Sequence, residues 1–492
     1  MEPRMTESTR YLCAAVQIDE KFCDQILEEF FEEDYTVIGI CHGVDIPTVL
    51  KSCLLAKTRR NKRNKCLYIF LPCLFLLGLF FQLDLYIYCL IIYSMAWRIV
   101  FGYESESRYK IVGKYLLKNN FNPEFINSQF INLQLSPEQQ QKLKEISESQ
   151  DANVIIYGGF SPFVGSGLNI NGWSFAVDIK KGKEKRIHTK QPIDFAVSEL
   201  YDYITDSIQN LGLDNLSIED NLYINGNGQE LRAGKIFLPQ DMMRPNTRVE
   251  DHLIRFFIEN PTDSIRHYRC LRVTDWKGEI ILSIFLRLSK IGQDLFIEAN
   301  YYLLTPLRSY YRQYDDIKSE PSKADILKLA WRSAFQTFLL SISALISICR
   351  LLISIANLDF SEYRKKRNRK KKKEKEIKSN PTFNYGAISS LRERVSQEEY
   401  QKFFQKLDQE MYLKIIERRI VDGLSKFLDS KNIDTSDFKN ASSTILNHGI
   451  IVDGGSLQAE NIAVGKRAKL ILHIKRKGNK AGPTDGTDND RK

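Results

Sequence analysis

The residue types that come nearest to a chemical motif run from Tyr157 through Gly158, Gly159, Phe160, Ser161, Pro162, Phe163, Val164, Gly165 and Ser166 to Gly167. A glycine-rich loop after a strand can turn several backbone N–H groups toward a phosphate. Gly158, Gly159, Ser161, Gly165, Ser166 and Gly167 would line such a ligand site, with Asp178 as a further polar contact. The spacing departs from each known version of this device. A dinucleotide fingerprint counted from Gly165 has Ile170 where its third glycine belongs, and no Gly-Lys-Ser/Thr follows to make a P-loop. Gly159-Phe160-Ser161-Pro162-Phe163 ends in Phe where a nucleophile elbow needs glycine. The residues that follow alternate like a strand, so no helix N-terminus is offered to an anion. The loop therefore reads first as an apolar turn resting on a sheet or on a membrane, and second as a ligand site.

Other chemistry is sparser. His42, His188, His252, His267, His448 and His473 show neither an H-E-x-x-H pattern nor paired metal-ligand spacing. Cys41 and His42 are adjacent, and adjacent side chains point apart in most backbones. The nine cysteines include no C-x-x-C pair and are odd in number, which fits buried free thiols in a reducing compartment. No carboxylate pair stands out. The reading leans away from an enzyme, and no cofactor or metal is expected.

Charge is concentrated rather than spread. The chain sums to +10, but residues 364–378 hold eleven Lys/Arg and two Glu, and residues 56–65 hold six Lys/Arg and no acid. The rest is net acidic, at −5. A basic run can bind nucleic acid. No aromatic residues are interleaved in 364–378 to stack on bases, and the run follows an apolar segment. Anionic lipid is the preferred partner, at about 1 kcal/mol per Lys/Arg near the surface. The residues expected to grip it are Arg364, Lys365, Lys366, Arg367, Arg369, Lys370, Lys371, Lys372 and Lys373.

The elements that must carry these residues begin with an apolar stretch, 66–101, charged only at Asp84 and Arg98. One helix of that length would reach about 54 Å, against a hydrocarbon core of about 30 Å. A transmembrane hairpin turning at 82–84 fits better, with Tyr86, Tyr88, Tyr93 and Trp97 as interfacial aromatics. Basic residues flank both arms, so the positive-inside rule keeps both flanks cytoplasmic. The chain is thus expected to be a multi-pass cell-membrane protein lying mostly in the cytoplasm. A second apolar stretch, 333–358, carries Arg350 and several serines. It is open to three readings: an amphipathic helix in the membrane plane, a re-entrant hairpin, or a single crossing.

The remaining sequence predicts an α+β fold. Residues 1–55 read as a small helical region, and 103–150 as a helical connector in which Ser136, Pro137 and Gln139 form a helix start. Residues 151–316 read as a cytoplasmic α+β domain with a mostly antiparallel sheet. Expected strands are 153–157, 174–180, 216–224, 267–273, 278–287 and 294–304, with helices at 193–211 and 248–258. Residues 380–475 read as a helical C-terminal unit ending in short strands, and 476–492 as a disordered tail. In that unit Ser396 and Glu399 suggest a capping box opening a helix to about Leu428. Its core face would be Tyr400, Phe403, Phe404, Leu407, Met411 and Ile415.

The runs NVIIYGGFSPFVGSG, WSFAVDI, the stretch 264–311, FNYGAISSLRE and ILNHGIIVDGGSLQAENIAVG together resemble a group of bacterial multi-pass membrane proteins. The likeness extends from about Tyr11 to Gly465, and the group carries no established activity. The glycine-rich ending is also similar to short C-terminal elements of bacterial conflict and defence proteins. The expected function is an integral membrane protein with a cytoplasmic sensing, scaffold or effector domain. The alternative is a membrane-bound enzyme or nucleotide-responsive domain with its site around 158–178. A third version is a membrane-perturbing effector in which 66–101 forms a homo-oligomer.

Overall fold

The computed structural model describes residues 6–80, 85–131, 133, 135–185, 188–357 and 361–446. Its first helices are α1 (Glu7–Ile18), α2 (Glu20–Leu27), α3 (Ile46–Phe80) and α4 (Leu85–Ser105). After a π-helical turn at Glu106–Val112 come α5 (Gly113–Tyr115), α6 (Pro123–Ile131) and α7 (Pro137–Ser149). Thr6 caps α1 by accepting the Thr9 N–H, and Asp19 caps α2 through the Phe22 N–H. α1 is buried nearly all round. Its one buried cation, Arg10, is paired with Glu7 at 2.7 Å and Asp315 at 2.6 Å, which makes that burial tolerable.

Ile111, Val112, Leu116, Ile126, Leu143 and Ile146 share one hydrophobic core with Leu12, Val16, Val49 and Leu50. Residues 103–150 are therefore half of an N-terminal helical body rather than a connector. The Ser136–Gln139 capping box is present. α3 is also longer than expected. It runs without a break from this body through the basic run 56–65 into the apolar stretch. Basic residues interrupt hydrophobicity but not helix propensity, and Arg60 and Arg63 are held by the Val16 carbonyl and Glu20. The turn expected at 82–84 lies outside the described residues.

The sheet has six strands: β1 (Val154–Tyr157), β2 (Leu168–Asp178), β5 (Leu216–Asn225), β6 (Ile265–Asp275), β7 (Ile280–Ile291) and β8 (Asp294–Leu304), in the order β1-β5-β6-β7-β8-β2. β3 (Glu184–Lys185) and β4 (His188–Thr189) form a separate two-stranded ribbon. The expectation of a mostly antiparallel sheet is sharpened to a mixed one, because β1 pairs with β5 in parallel while the other pairings are antiparallel. The fold class α+β stands. Helices α8 (Val197–Gln209), α9 (Gln229–Arg232) and α10 (Asp251–Glu259) fall between strands. After the sheet come α11 (Lys323–Asn357), α12 (Ser361–Ser379), α13 (Leu391–Val395) and α14 (Phe403–Ser430). α8, α10 and α14 pack on the sheet. On its other face an aromatic cluster of Phe163, Tyr223, Tyr268, Phe285 and Tyr302 meets Ile40 of the helical body.

The expected C-terminal unit does not stand apart. Residues up to Thr435 form one compact unit, and of the second unit, Ser436–Lys492, the described part is α15 (Ser436–Leu446). The strands expected in 450–474 and the tail 476–492 lie outside the described residues. The capping box sits at Ser390 and Glu393, opening α13, while Ser396 ends that helix. α14 starts at Phe403, and the face expected to be its core is turned outward: Phe403 and Phe404 are 71% and 65% exposed. The buried face of its first turns is polar. Gln405 donates to Glu279, Gln409 accepts from Tyr400, and Glu417 accepts from Tyr301 at 2.6 Å. Satisfied polar groups can be buried where unsatisfied ones cannot, so apolar spacing alone picked the wrong face.

Candidate functional site: a filled anion cradle, a groove and a docked basic helix

β1 ends at Tyr157, and residues 384–387 run beside it. The Ala387 N–H donates to the Ile156 carbonyl at 2.9 Å, the Gly158 N–H to the Ala387 carbonyl at 2.7 Å, and Asn384 Nδ2 to the Gly158 carbonyl at 2.9 Å. Gly158 is thereby committed to the backbone. Phe160 stands fully exposed next to Gly159. Ser161 Oγ lies 3.2 Å from Tyr302 Oη, and Phe163 stacks on Phe285 at 4.2 Å. The loop is nailed to the sheet by that ring.

Gly165 and Gly167 both have positive φ, +92° and +86°. A Cβ there would lie 2.4 Å from the Ile40 carbonyl oxygen and 2.3 Å from that of Leu303. Only glycine meets both demands. Their N–H groups both donate to Glu393 Oε1 at 2.9 Å. Glu393 Oε2 accepts the Ser390 N–H at 2.7 Å, and Ser390 Oγ accepts the Glu393 N–H at 3.2 Å. The loop does form an anion cradle, and the anion in it is the chain's own carboxylate. The buried Ser166 spends its N–H on the Phe163 carbonyl. Asp178 is not part of the group. It lies at the opposite end of β2, about 35 Å along the strand, where it accepts the Lys180 and Lys181 N–H groups.

Beside the cradle is a groove of about 870 Å³. Phe160, Leu168, Tyr310 and Ile388 give it apolar walls, with Arg308 and Arg394 at the edge. A buried network lies on the opposite face of the sheet. Asp220 accepts from Arg269 Nε at 2.9 Å and Nη2 at 3.0 Å, and pairs with His267 Nε2 at 2.8 Å. Burial alone would raise the Asp220 carboxyl, but His267 and Arg269 hold it well below the usual range. Burial pushes the His267 imidazole down despite Asp220. With His267 3% exposed, this network reads as a clamp between sheet and α8 rather than as catalytic machinery. Among the described residues no group of three or more His, Cys, Asp or Glu is placed to hold a metal ion.

The basic run forms α12, whose ion pairs the sequence reading missed. Arg369 pairs with Glu28, Lys370 with Asp34 at 3.1 Å, and Lys373 with Glu33. Glu374 accepts from Tyr35 at 3.1 Å, and Ile377 is buried on the same side. Burial works against ionisation of Glu33, but the Lys373 ammonium overrides it and holds the carboxyl below its ordinary value. Asp34 behaves likewise between Lys142 and Lys370. Arg367, Lys371, Lys372, Lys375 and Lys378 remain exposed. Arg364, Lys365 and Lys366 belong to the first turns of the helix. The signal available in the sequence was the run of five acids in 28–34, complementary to 364–378.

α4 packs against both α3 and α11. Tyr93 Oη donates to the Ala334 carbonyl at 2.8 Å, and Trp97 Nε1 lies 3.0 Å from both the Ala330 carbonyl and Ser333 Oγ. Leu67, Ala96 and Val100 form a small core there. Away from it, Tyr86, Leu90, Trp331, Phe335 and Phe338 are exposed. Among the described residues one helical stretch, Tyr86–Tyr115, is long and apolar enough to cross a membrane, with mean hydropathy 1.3.

No curated protein and no solved structure matches the chain. A family model, the AbeC-like domain, matches residues 172–459. The match starts inside β2 and takes in β5, β6, β7, β8, α11, α12 and α14; β1, the glycine-rich loop and the α3–α4 pair precede it. It covers more than half of the sequence, and the chain belongs to the AbeC-like domain family.

Proposed function

We propose that the chain is a membrane-attached, non-catalytic module that holds a sensing, scaffold or effector domain at the cytoplasmic face. Bacterial defence is the setting its glycine-rich ending suggests. The observation that carries the reading is the exposed apolar side of α4 and α11, with Tyr86 84%, Leu90 69% and Phe335 64% exposed. Each large apolar side chain removed from water gains about 1.5–3 kcal/mol, so this surface calls for a bilayer or for other copies of the chain within one. The free basic stripe of α12 suits anionic headgroups. Docking of α12 on Glu28, Glu33 and Asp34 supports an in-plane placement of 333–358 over a single crossing, since both its neighbours then lie on the side of the helical body. Full-length protein should stay in the membrane pellet after high-pH carbonate washing and need detergent for release. Recovery as a soluble monomer without detergent would refute the proposal.

The groove beside Phe160 favours one second reading, a ligand-responsive domain. A nucleotide phosphate would have to displace Glu393 from the cradle. A flat thermal-shift response across a nucleotide panel would dispose of it.

A further inference from the structure

α11 leaves the helical body beside a cavity of about 410 Å³, distinct from the groove. Three arginines line it: Arg60 from α3, Arg108 from the π-turn after α4, and Arg332 from α11. Lys21 adds a fourth cation. The acids that share the lining leave these arginines short of hydrogen-bond acceptors. Asp19 caps α2 and Glu20 pairs with Arg63 at 3.2 Å, while Glu104 forms a loose ion pair with Arg108, 3.9 Å from its Nε and too far for a hydrogen bond. Arg108 Nε and Arg60 Nη1 are buried and make no hydrogen bond. Buried guanidinium donors without acceptors cost free energy, and an anion would supply the acceptors.

What surrounds the cations is apolar. Phe335 and Leu339, one and two turns beyond Arg332, line the cavity and also face outward, 64% and 51% exposed. Ile18, Ile317 and Tyr314 close the body side. Trp331 adjoins Arg332, and Trp97 is bonded to Ala330, so two tryptophans stand close to the arginines in the chain. Tryptophan and arginine together mark the headgroup level of a membrane protein.

The geometry points to a binding site for the phosphate of an anionic phospholipid in this cavity. Arg108 and Arg332 clasp the phosphate, Arg60 stands behind them, and the acyl chains meet the outward apolar side that Phe335 and Leu339 share. Arginine suits this role because its planar fork matches phosphate oxygens two at a time. The inference rests on the membrane attachment proposed above. It differs from the basic stripe of α12, which offers charge to a bilayer surface without a cavity.

Brominated lipids test it, because bromine quenches tryptophan at contact and Trp97 and Trp331 stand beside the site. Full-length protein in mild detergent is titrated with brominated phosphatidylglycerol and, separately, brominated phosphatidylcholine. The expected result is saturable quenching with phosphatidylglycerol preferred about tenfold or more, the scale of one charge-assisted hydrogen bond. Arg332 is exposed, so Arg332→Gln should fold normally by circular dichroism and lose most of that preference. Arg108→Gln with Arg332→Gln should abolish it. A control with Lys371, Lys372 and Lys375 changed to Gln should keep it. Equal quenching by both lipids in wild-type protein, or a preference lost in the control and kept in Arg332→Gln, would overturn the site. Competition by inorganic phosphate or glycerol phosphate at the lipid's own concentration would assign the cavity to a free phosphate compound and overturn the lipid. Failure of membrane attachment itself is distinguishable: wild-type protein would then be soluble and unquenched by either lipid.

Discussion

Glu393→Ala is the sharpest perturbation of the glycine-rich loop. The side chain accepts three N–H groups, from Gly165, Gly167 and Ser390, at 2.7–2.9 Å. Truncation leaves those donors with no acceptor in a region where Gly165 and Ser390 are buried. Each buried donor left unmade costs about 1–3 kcal/mol. Water reaching the vacated space recovers part of this, so the expected loss is about 3–5 kcal/mol rather than the full sum. That is a fall of roughly 3–6 °C in melting temperature for a unit of this size. Glu393→Gln should cost less, about 1–2 kcal/mol, because one amide oxygen can still serve both glycines while the amide NH₂ meets the Ser390 donor badly. The stronger test is rescue. With the carboxylate gone, the cradle is an open anion site, and millimolar phosphate or sulfate should raise the melting temperature of Glu393→Ala by about 1–2 °C while leaving wild type unmoved. Thermal melting of the detergent-solubilised chain, followed by near-ultraviolet circular dichroism, reads all three. A loss under about 1 kcal/mol for alanine, or equal anion effects on wild type and variant, would refute the cradle.

Tyr301→Phe removes the hydroxyl that donates to buried Glu417 and accepts from Trp173; urea unfolding should show a loss of about 1–3 kcal/mol. Gly167→Ala, at φ +86° with a carbonyl oxygen 2.3 Å from the new Cβ, should lower the urea midpoint more than Gly212→Ala, where φ is +65° but nothing lies within 4 Å. Stability should fall with acid in two stages. His267 is depressed in the folded state, so the unfolded chain takes up its proton first, and stability drops as pH falls below about 6.5. Asp220 is depressed too; its contribution is complete above about pH 4 and is lost as pH falls through the folded value. Asp220→Asn should flatten that lower stage in pH-dependent urea titrations, and an unchanged acid limb would sink the assignment.

The local parts of this fold were readable because local signals make them. β8 occupies Asp294–Leu304 as expected, and β5 Leu216–Asn225, because alternation and the turn at Gly292 are written within a dozen residues. The capping box at Ser136 belongs to the same class. What could not be read is what distant segments do to one another. β1 finds β5 across some sixty residues, and β2 closes the far edge beside β8. The glycine cradle was legible as a device for anions, but Glu393, more than two hundred residues away, was not legible as its occupant. The outward face of α14 misled for a related reason: apolar spacing locates a core only when burial follows apolarity. Here Tyr301, Tyr400 and Glu279 make a polar face buriable.

The two faces of α12 determine what a basic helix can do at this position. Arg369, Lys370 and Lys373 are partly exposed where they meet Glu28, Asp34 and Glu33, and exposed pairs contribute about 0–1 kcal/mol each. That total is small, but buried Ile377 and the Tyr35–Glu374 bond add to it on the same side. Arg367, Lys371, Lys375 and Lys378 recur every three to four residues, which puts them on one other stripe of the helix. At about 1 kcal/mol each near an anionic surface, this stripe can engage lipid without giving up the acidic patch. Lipid binding and docking are then additive rather than competing. Lys373→Glu should weaken docking, giving severalfold faster tryptic cleavage within 364–378, while leaving vesicle binding through the other stripe largely intact. Reversal of Lys371 and Lys375 should do the opposite. If either change removed both properties together, the two stripes would be one surface, and the division of labour within this helix would be wrong.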